Sequence, residues 1–443
     1  MLCRLALSGA LCHMNPEWFP SICLMGASCR AAAQSAARAG CTRILAWDDF
    51  LDADLLEIAQ ARSLADFPED SPQGLAELQG IPLVLCGGME NRPDFVQRRI
   101  DQGMLCGVTG DMLRQLRSIE SWQRWASESR IGWPTAVQDL SDPRLDSVRS
   151  ESWMLKPVGR AGGVHVRAIA NLEGLDHVAK LAPDPGSPTS SSTSNPWYLQ
   201  EYVPGISIGV SYCTERNANT DSNGNAESTE PSGTRIVGIA RSIHSEELDA
   251  PLPWIYRGSL APYSVSPTVH ASLERFAKTV AQSTGIRGLW QADFQIDPQG
   301  QLWLLEINPR WSASMELHEI LQGYSWITEH VRILCNGAPK HVPSPASPAG
   351  QQVAKGILYA PHGMHLSVAQ VDRLWRSGWH GTLRELETAE FCLADIPQSD
   401  PLGVDFAEGM PIVTVLVAGE KNADLLEKIR QARSTVLGWF KTI

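Results

Sequence analysis

No run of about eighteen apolar residues occurs in this 443-residue chain, so no segment is expected to span a membrane. The opening MLCRLALSGALCHM is too short and too weakly flanked to read as a signal sequence or an anchor. Positive charge is scarce: 37 Lys and Arg against 49 Asp and Glu leave a net charge of −12. That balance argues against a nucleic-acid partner held by phosphate neutralisation, but leaves room for a local nucleotide site. The ten cysteines form no CxxC pair and no Cys/His ligand spacing, which disfavours a zinc site. Their scatter suits reduced, buried thiols in the cytoplasm. A complete dinucleotide fingerprint is missing, and no Walker loop is present. Aromatic residues make up only 7% of the chain, 15 of them Trp, and these are read as core packing rather than a stacking platform.

What remains is an ordinary globular composition, 43% apolar and 19% charged, in a chain long enough for two or three domains. The first hundred or so residues alternate strand and helix, which predicts a parallel α/β unit. Its strands are Ile22-Cys23-Leu24-Met25, Arg43 to Trp47 and Pro82 to Cys86, with a helix from Arg30 to Ala39. Gly26-Ala27-Ser28 at the helix start is either an anion site or a plain tight turn. Residues 107–130 read as helical, and 271–284 as an amphipathic helix. The stretches 183–196 and 217–234 are low in complexity and read as surface loops. A Pro-rich linker, HVPSPASPAG, leads into a β-rich end with a final helix over about 421–439. The expected division is 1–106, 107–335 and 336–443.

The most informative stretch is QADFQIDPQGQLWLLEINPRW. Asp297-Pro298-Gln299-Gly300 predicts a turn between two strands. Pairing Asp297 with Gly300 sets Asp293 opposite Leu304 and diagonal to Glu306. One face then carries Ala292, Phe294, Ile296, Trp303, Leu305 and Ile307. The other carries Gln291, Asp293, Gln295, Glu306 and Asn308. Carboxylates gathered this way repel unless a cation lies between them. An all-oxygen set of Asp, Glu and Asn suits Mg²⁺ carried with nucleotide phosphate. The plain alternative is the solvated face of a hairpin.

A second motif is Lys156-Pro157-Val158-Gly159-Arg160-Ala161-Gly162-Gly163-Val164-His165-Val166, a strand lysine followed by a glycine-rich loop. Glycine lets backbone amides approach phosphate oxygens, and lysine adds a point charge. A plain Gly-rich hairpin would look the same.

In combination and in this order, the lysine and glycine loop, LQEYV, Asp293 and the EINPR acids resemble the ATP-grasp superfamily over roughly residues 107–335. The resemblance implies an α/β and α+β architecture: a parallel pre-ATP-grasp unit, an ATP-grasp fold, then a β-rich extension. It implies that Lys156 contacts ATP phosphates and that Gly162 and Gly163 lie in the lid above them. Gln200, Glu201, Tyr202 and Val203 would form the adenine hinge, with Ser207 near the ribose, where relatives often carry an acid. Asp293, Glu306 and Asn308 would bind Mg²⁺ or Mn²⁺, and Arg310 would face the transferring phosphoryl or an oxyanion. Many relatives carry a phosphate-binding lysine near Met112; here either Arg114, nearby, substitutes for it or phosphate binding leans harder on Lys156. GASCRAAAQSAARAG and ADIP…EGMPIVTVLVAG also resemble a subgroup of ligases linked to tetrahydromethanopterin or methanofuran biosynthesis, including a tyramine–glutamate ligase.

The implied chemistry joins a small-molecule carboxylate to an amine through an acyl phosphate. His318 and Glu316 are candidate acceptors of the amine proton, or else parts of a packed helix. Tyr256 and Arg257, in a long mixed loop, are candidate substrate contacts, with Arg257 able to clamp a carboxylate. Two alternatives stay open: a small-molecule kinase on the same fold, and a nucleotide-binding protein without catalysis.

Overall fold

The computed structural model describes residues 21–67, 78–138, 142, 153–158, 162–163, 165–169, 197–216, 231–335, 350–379, 383–399 and 401–440. The expected loop 183–196, residues 217–230, glycine-loop residues 159–161 and 164, and linker residues 341–349 lie outside the described residues. Residues 231–234, expected to be loop, instead open a strand.

The first sheet is parallel. Strands β1 (Ser21–Gly26), β2 (Arg43–Asp48), β3 (Gln60–Ser63) and β4 (Leu83–Leu85) lie in the order β3-β2-β1-β4. β2 and β4 flank β1 and both run parallel to it. Helix α1 (Arg30–Arg38) joins β1 to β2. The strand order reverses between β1 and β4, so a crevice is expected beyond the C-terminal ends of those two strands. The expected helix 107–130 is two helices, α2 (Gly110–Leu116) and α3 (Ile119–Glu128). Ser118 breaks them apart by capping the second, accepting a bond from Ser121 N at 3.3 Å.

A small antiparallel sheet follows, built from β5 (Ala136–Val137), β6 (Trp153–Pro157), β7 (Arg167–Ile169) and β8 (Trp197–Glu201), in the order β5-β8-β6-β7. It carries Lys156 and Gln200 on adjacent strands. The main sheet contains β9 (Ile206–Arg216), β10 (Pro231–Ser242), β11 (Gly258–Ala261), β12 (Gly288–Ile296) and β13 (Leu302–Asn308). It continues through β14 (Gln352–Tyr359), with β16 (Cys392–Ala394) and β18 (Pro411–Gly419) beyond. The order is β13-β12-β9-β10-β11-β14-β18-β16, antiparallel throughout. The β-rich end therefore extends the same sheet. A separate two-stranded ribbon pairs β15 (Met364–Leu366) with β17 (Val404–Phe406). Helix α4 (Pro267–Thr284) presses Phe276 edge-on against Phe294 of β12 at 5.2 Å between ring centres.

The β12–β13 register departs from the sequence expectation. Asp297 N bonds Gln301 O at 3.0 Å, so the loop closes one residue later than Gly300. A β-bulge then falls where Asp293 gives way to Phe294, adding one residue on β13. Asp293 consequently stands directly opposite Glu306 rather than diagonal to it. The extra residue also reverses the phase of β13: Leu302, Leu304 and Ile307 are buried, whereas Trp303 and Leu305 are only partly covered. Trp303 lies on the face opposite the core, against Gly132, and its indole N–H donates to Asp297 Oδ2 at 2.9 Å.

Three distant parts of the chain meet in a buried ion network. Arg30 of α1 pairs with Glu316, with Asp395 at 2.8 Å and with Asp54 at 3.7 Å. Lys355 of β14 donates to Glu316 at 3.0 Å. The amides of Asp395 and Ile396 both donate to the Asp54 carboxylate.

Candidate active site

The acidic centre is built on the edge of the main sheet. Asp293 Oδ1 accepts from Gln291 at 2.8 Å, and Asp293 Oδ2 accepts from Asn308 Nδ2 at 2.8 Å. The same Nδ2 reaches Glu306 Oε1 at 3.3 Å. One amide thus spans both carboxylates. Burial, and then the charge of Glu306, push the Asp293 carboxyl up to about 7. Burial also opposes ionisation of Glu306, but Arg117 and Lys156 outweigh it and hold that carboxyl below its usual range. Asn308 turns its nitrogen to the acids and its oxygen to Arg310, 3.4 Å away. A half-turn of that amide would bring its oxygen to the acids.

The cations follow. Lys156 Nζ donates to Gln200 Oε1 at 2.7 Å. Burial lowers its pKa, and Glu306 and Asp293 lie close enough to oppose the shift. Gln200 is buried, and its Nε2 finds no partner among the described residues. Arg310 is fixed on four sides: Nε to buried Glu90 at 2.7 Å, one terminal nitrogen to Trp311 O and Ser312 Oγ, and the other to Asn308. Trp311 N donates to Leu85 O at 2.8 Å, which brings Arg310 to the crevice end of β4.

Two residues that matter here were not singled out from the sequence. Arg117 donates to Glu306 Oε2 at 3.4 Å and to Ile307 O at 3.0 Å. Arg114, the sequence candidate, is turned outward, about half exposed, and pairs with Asp94 and Asp111. Helical spacing was the available signal: Arg117 lies four residues after buried Leu113, whereas Arg114 lies one after it. Glu90 gave no such signal, because nothing in its neighbourhood marks it as Arg310's partner.

Other expected residues are placed differently. The Gly26-Ala27-Ser28 turn already has an anion: the Asp48 carboxylate accepts from Cys29 N at 2.6 Å and also from Phe50 and Leu51 N. Arg257 cannot clamp a substrate. It is 5% exposed and donates to the carbonyls of Leu248, Leu252, Pro253 and Ile255. Replacing Arg257 with Ala should cost about 2–4 kcal/mol in a denaturant titration by orphaning those carbonyls. Tyr256 bonds Ser259 Oγ at 2.8 Å; burial raises its phenol pKa, and Asp293 is near enough to add to the rise. Ser207 is held by Gln295 at 2.6 Å. Glu201 N donates to Thr135 O at 2.8 Å, so that amide is not open to a base. Tyr202 is exposed and edge-on to Trp254. Glu316 is committed to Arg30 and Lys355, and burial pushes His318 down to about 4, so neither stands as a ready proton acceptor. Gly162 and Gly163 both take positive φ. A side chain at Gly163 would overlap the Trp254 carbonyl, whereas one at Gly162 would meet nothing within 4 Å among the described residues.

The donor set fits a magnesium ion in one way. Among the described residues no group of three or more His, Cys, Asp or Glu gathers to hold a metal. Two facing carboxylates suit Mg²⁺ when phosphate oxygens and water complete its shell. No helix among the described residues is long and apolar enough to cross a membrane.

No family model matches the chain. A D-alanine–D-alanine ligase of Synechococcus sp. (strain JA-2-3B'a(2-13)) is 23% identical over 190 residues, 42% of this chain. The chain spans about half the length of that curated relative, 48%. An N5-carboxyaminoimidazole ribonucleotide synthetase solved with ADP superposes with a TM-score of 0.64 at 14% identity, covering 96% of this chain and 99% of the other. The Staphylococcus aureus N5-carboxyaminoimidazole synthetase, also with ADP, gives 0.61 at 14%, covering 96% and 99%. The biotin carboxylase domain of Hydrogenobacter thermophilus 2-oxoglutarate carboxylase, solved with MgADP, ADP and bicarbonate, gives 0.64 at 12%, covering 94% and 89%. The three structural likenesses extend over nearly the whole chain and show its fold: a parallel α/β unit, an ATP-grasp-like antiparallel sheet and a β-rich C-terminal region.

Proposed function

We propose that the protein is an ATP- and Mg²⁺-dependent ligase that joins a carboxylate to an amine. The observation that carries this reading is Asp293 directly opposite Glu306, with Lys156, Arg117 and Arg310 around them. The neighbours that bind ADP, and the ligase and carboxylase names among them, support it.

In this reading Asp293 and Glu306 hold the metal, joined by Asn308 once its amide turns its oxygen inward. Bound there, Mg²⁺ neutralises phosphate charge during transfer. Lys156 and Arg117 flank the phosphates from two sides. Gln200 offers its unpartnered N–H to the nucleotide, and Val203 takes the base contact that Glu201 N cannot make. Gly162 is the lid residue free to approach phosphate. The substrate carboxylate oxygen attacks the γ-phosphorus, ADP leaves, and an acyl phosphate forms. An amine then attacks the acyl carbon, the C–O bond to the phosphate breaks, and inorganic phosphate leaves with that oxygen and electron pair, its own oxygens taking the proton the amine sheds. Arg310 meets the developing oxyanion with its one uncommitted N–H, held rigid by Glu90. Asp293, Glu306 and Arg310 remain together, and Arg117 supplies a cation near the position of the missing lysine, which weakens the non-catalytic alternative. The tetrahydromethanopterin or methanofuran connection is the narrower reading and rests on the quoted subgroup stretches alone.

Pools of carboxylates and amines, screened for ADP release, test the reaction. A ligase releases ADP and phosphate in equal amounts only when both substrates are present. ADP without free phosphate, given a hydroxyl acceptor, would instead identify a kinase. No Mg²⁺-dependent ATP binding by titration calorimetry would overturn both.

A further inference from the structure

We infer that Gln291 is a positioning residue that aims the Asp293 carboxylate at the metal; this rests on the metal-nucleotide reading above. Gln291 is 8% exposed and lies on β12, opposite Ser211 of β9 and Asn308 of β13. Its Oε1 accepts from Ser314 Oγ at 2.8 Å and Ser211 Oγ at 3.4 Å. Its Nε2 donates to Asp293 Oδ1 at 2.8 Å. The acid itself fixes which end of the amide faces it, since the serine hydroxyls could bond either end: turned over, the amide would set oxygen against oxygen at Asp293.

Gly209, opposite Asp293 on β9, makes room for this bond. A Cβ there would lie 2.8 Å from Gln291 Nε2 and 3.3 Å from Asp293 Oδ1. With Asn308 on Oδ2 and Gln291 on Oδ1, the carboxylate plane is held at both oxygens before any ion arrives. Ser314 follows the EINPR strand by only a few residues, so the same segment carries Glu306 and braces its partner acid.

The test measures Mn²⁺ affinity in the presence of ATP by electron paramagnetic resonance, on the full chain. Gln291→Met, which keeps bulk but donates nothing, should weaken Mn²⁺ about 10–100-fold, the range for outer-shell partners of metal ligands. Gly209→Ala reaches the same bond from the other side. It crowds only side-chain atoms, the Gln291 amide and Asp293 Oδ1, so it should fold and weaken Mn²⁺ several-fold. Both variants should stay folded, and metal-free ATP binding should stay near wild type in both. Should Gln291→Met fail to fold, Gly209→Ala decides. Affinities within twofold of wild type would overturn the inference alone. A wild type without metal-dependent ATP binding would overturn it together with the reading it rests on.

Discussion

Glu306→Gln is expected to reduce ATP turnover by about 10²–10³-fold while leaving the fold intact, the scale on which one electrostatic stabiliser of a transition state acts. The exchange keeps shape and removes one charge. Three consequences converge on that charge. The metal loses one of two anionic ligands, and Arg117 loses its carboxylate partner at 3.4 Å. Lys156 loses the stronger of the two charges that oppose the effect of its burial. Free ATP should still bind, since hinge and lid are untouched, but Mg²⁺ should no longer tighten it. Calorimetry with and without Mg²⁺ reads the second effect, and ADP release reads the first. Turnover within tenfold of wild type would remove Glu306 from the reaction.

Glu316→Ala should be the most damaging change to stability, about 3–5 kcal/mol by denaturant titration, because it strips a buried pair of one partner. Arg30 and Lys355 both point at this carboxylate and are themselves buried. The pH dependence follows in sign. Burial works against ionised Glu316, but Arg30 and Lys355 overcome it and hold the acid below its usual range. Asp395, partly covered and paired with Arg30, is lowered to about 2. Groups depressed in the folded state add stability above their unfolded values and lose it as pH falls through the folded ones. Wild type should therefore lose this contribution between its ordinary carboxylate range and about pH 2, and Glu316→Ala should lose less of it. Asp52 has the opposite sign: burial, then Asp395 and Asp54, push it up to about 9. Its contribution is complete in acid and fades as pH rises toward that value. Melting curves from pH 2 to 9 would expose both slopes, and identical slopes in wild type and Glu316→Ala would refute the network account.

The acidic face of the hairpin was legible because polar and apolar residues alternate cleanly from Gln291 to Ile296. The bulge was not, because Leu302-Trp303-Leu304-Leu305 is apolar in both phases and alternation cannot choose between them. The outward indole bond from Trp303 to Asp297 accompanies the observed phase, and it joins side chains across the turn. Lys156 and Gln200 were readable as motif residues, yet their mutual bond needed two strands far apart in sequence to pair. Arg257 was misread for a related reason: its partners are carbonyls, which look alike at every residue. Asp48 likewise gave no sign that it would curl back onto the start of α1.

The Arg30–Asp395 pair spans 365 positions of the chain. At roughly 5–20 residues per second of translation, Arg30 waits on the order of 20–70 s for its last partner to be synthesised. Until Glu316 and Asp395 are made, the emerging α/β unit carries a guanidinium meant for the interior with only Gln34 and Asp54 beside it. A newborn chain of this protein should therefore complete the network that joins its α/β unit to its β-rich region only after residue 395 has been made.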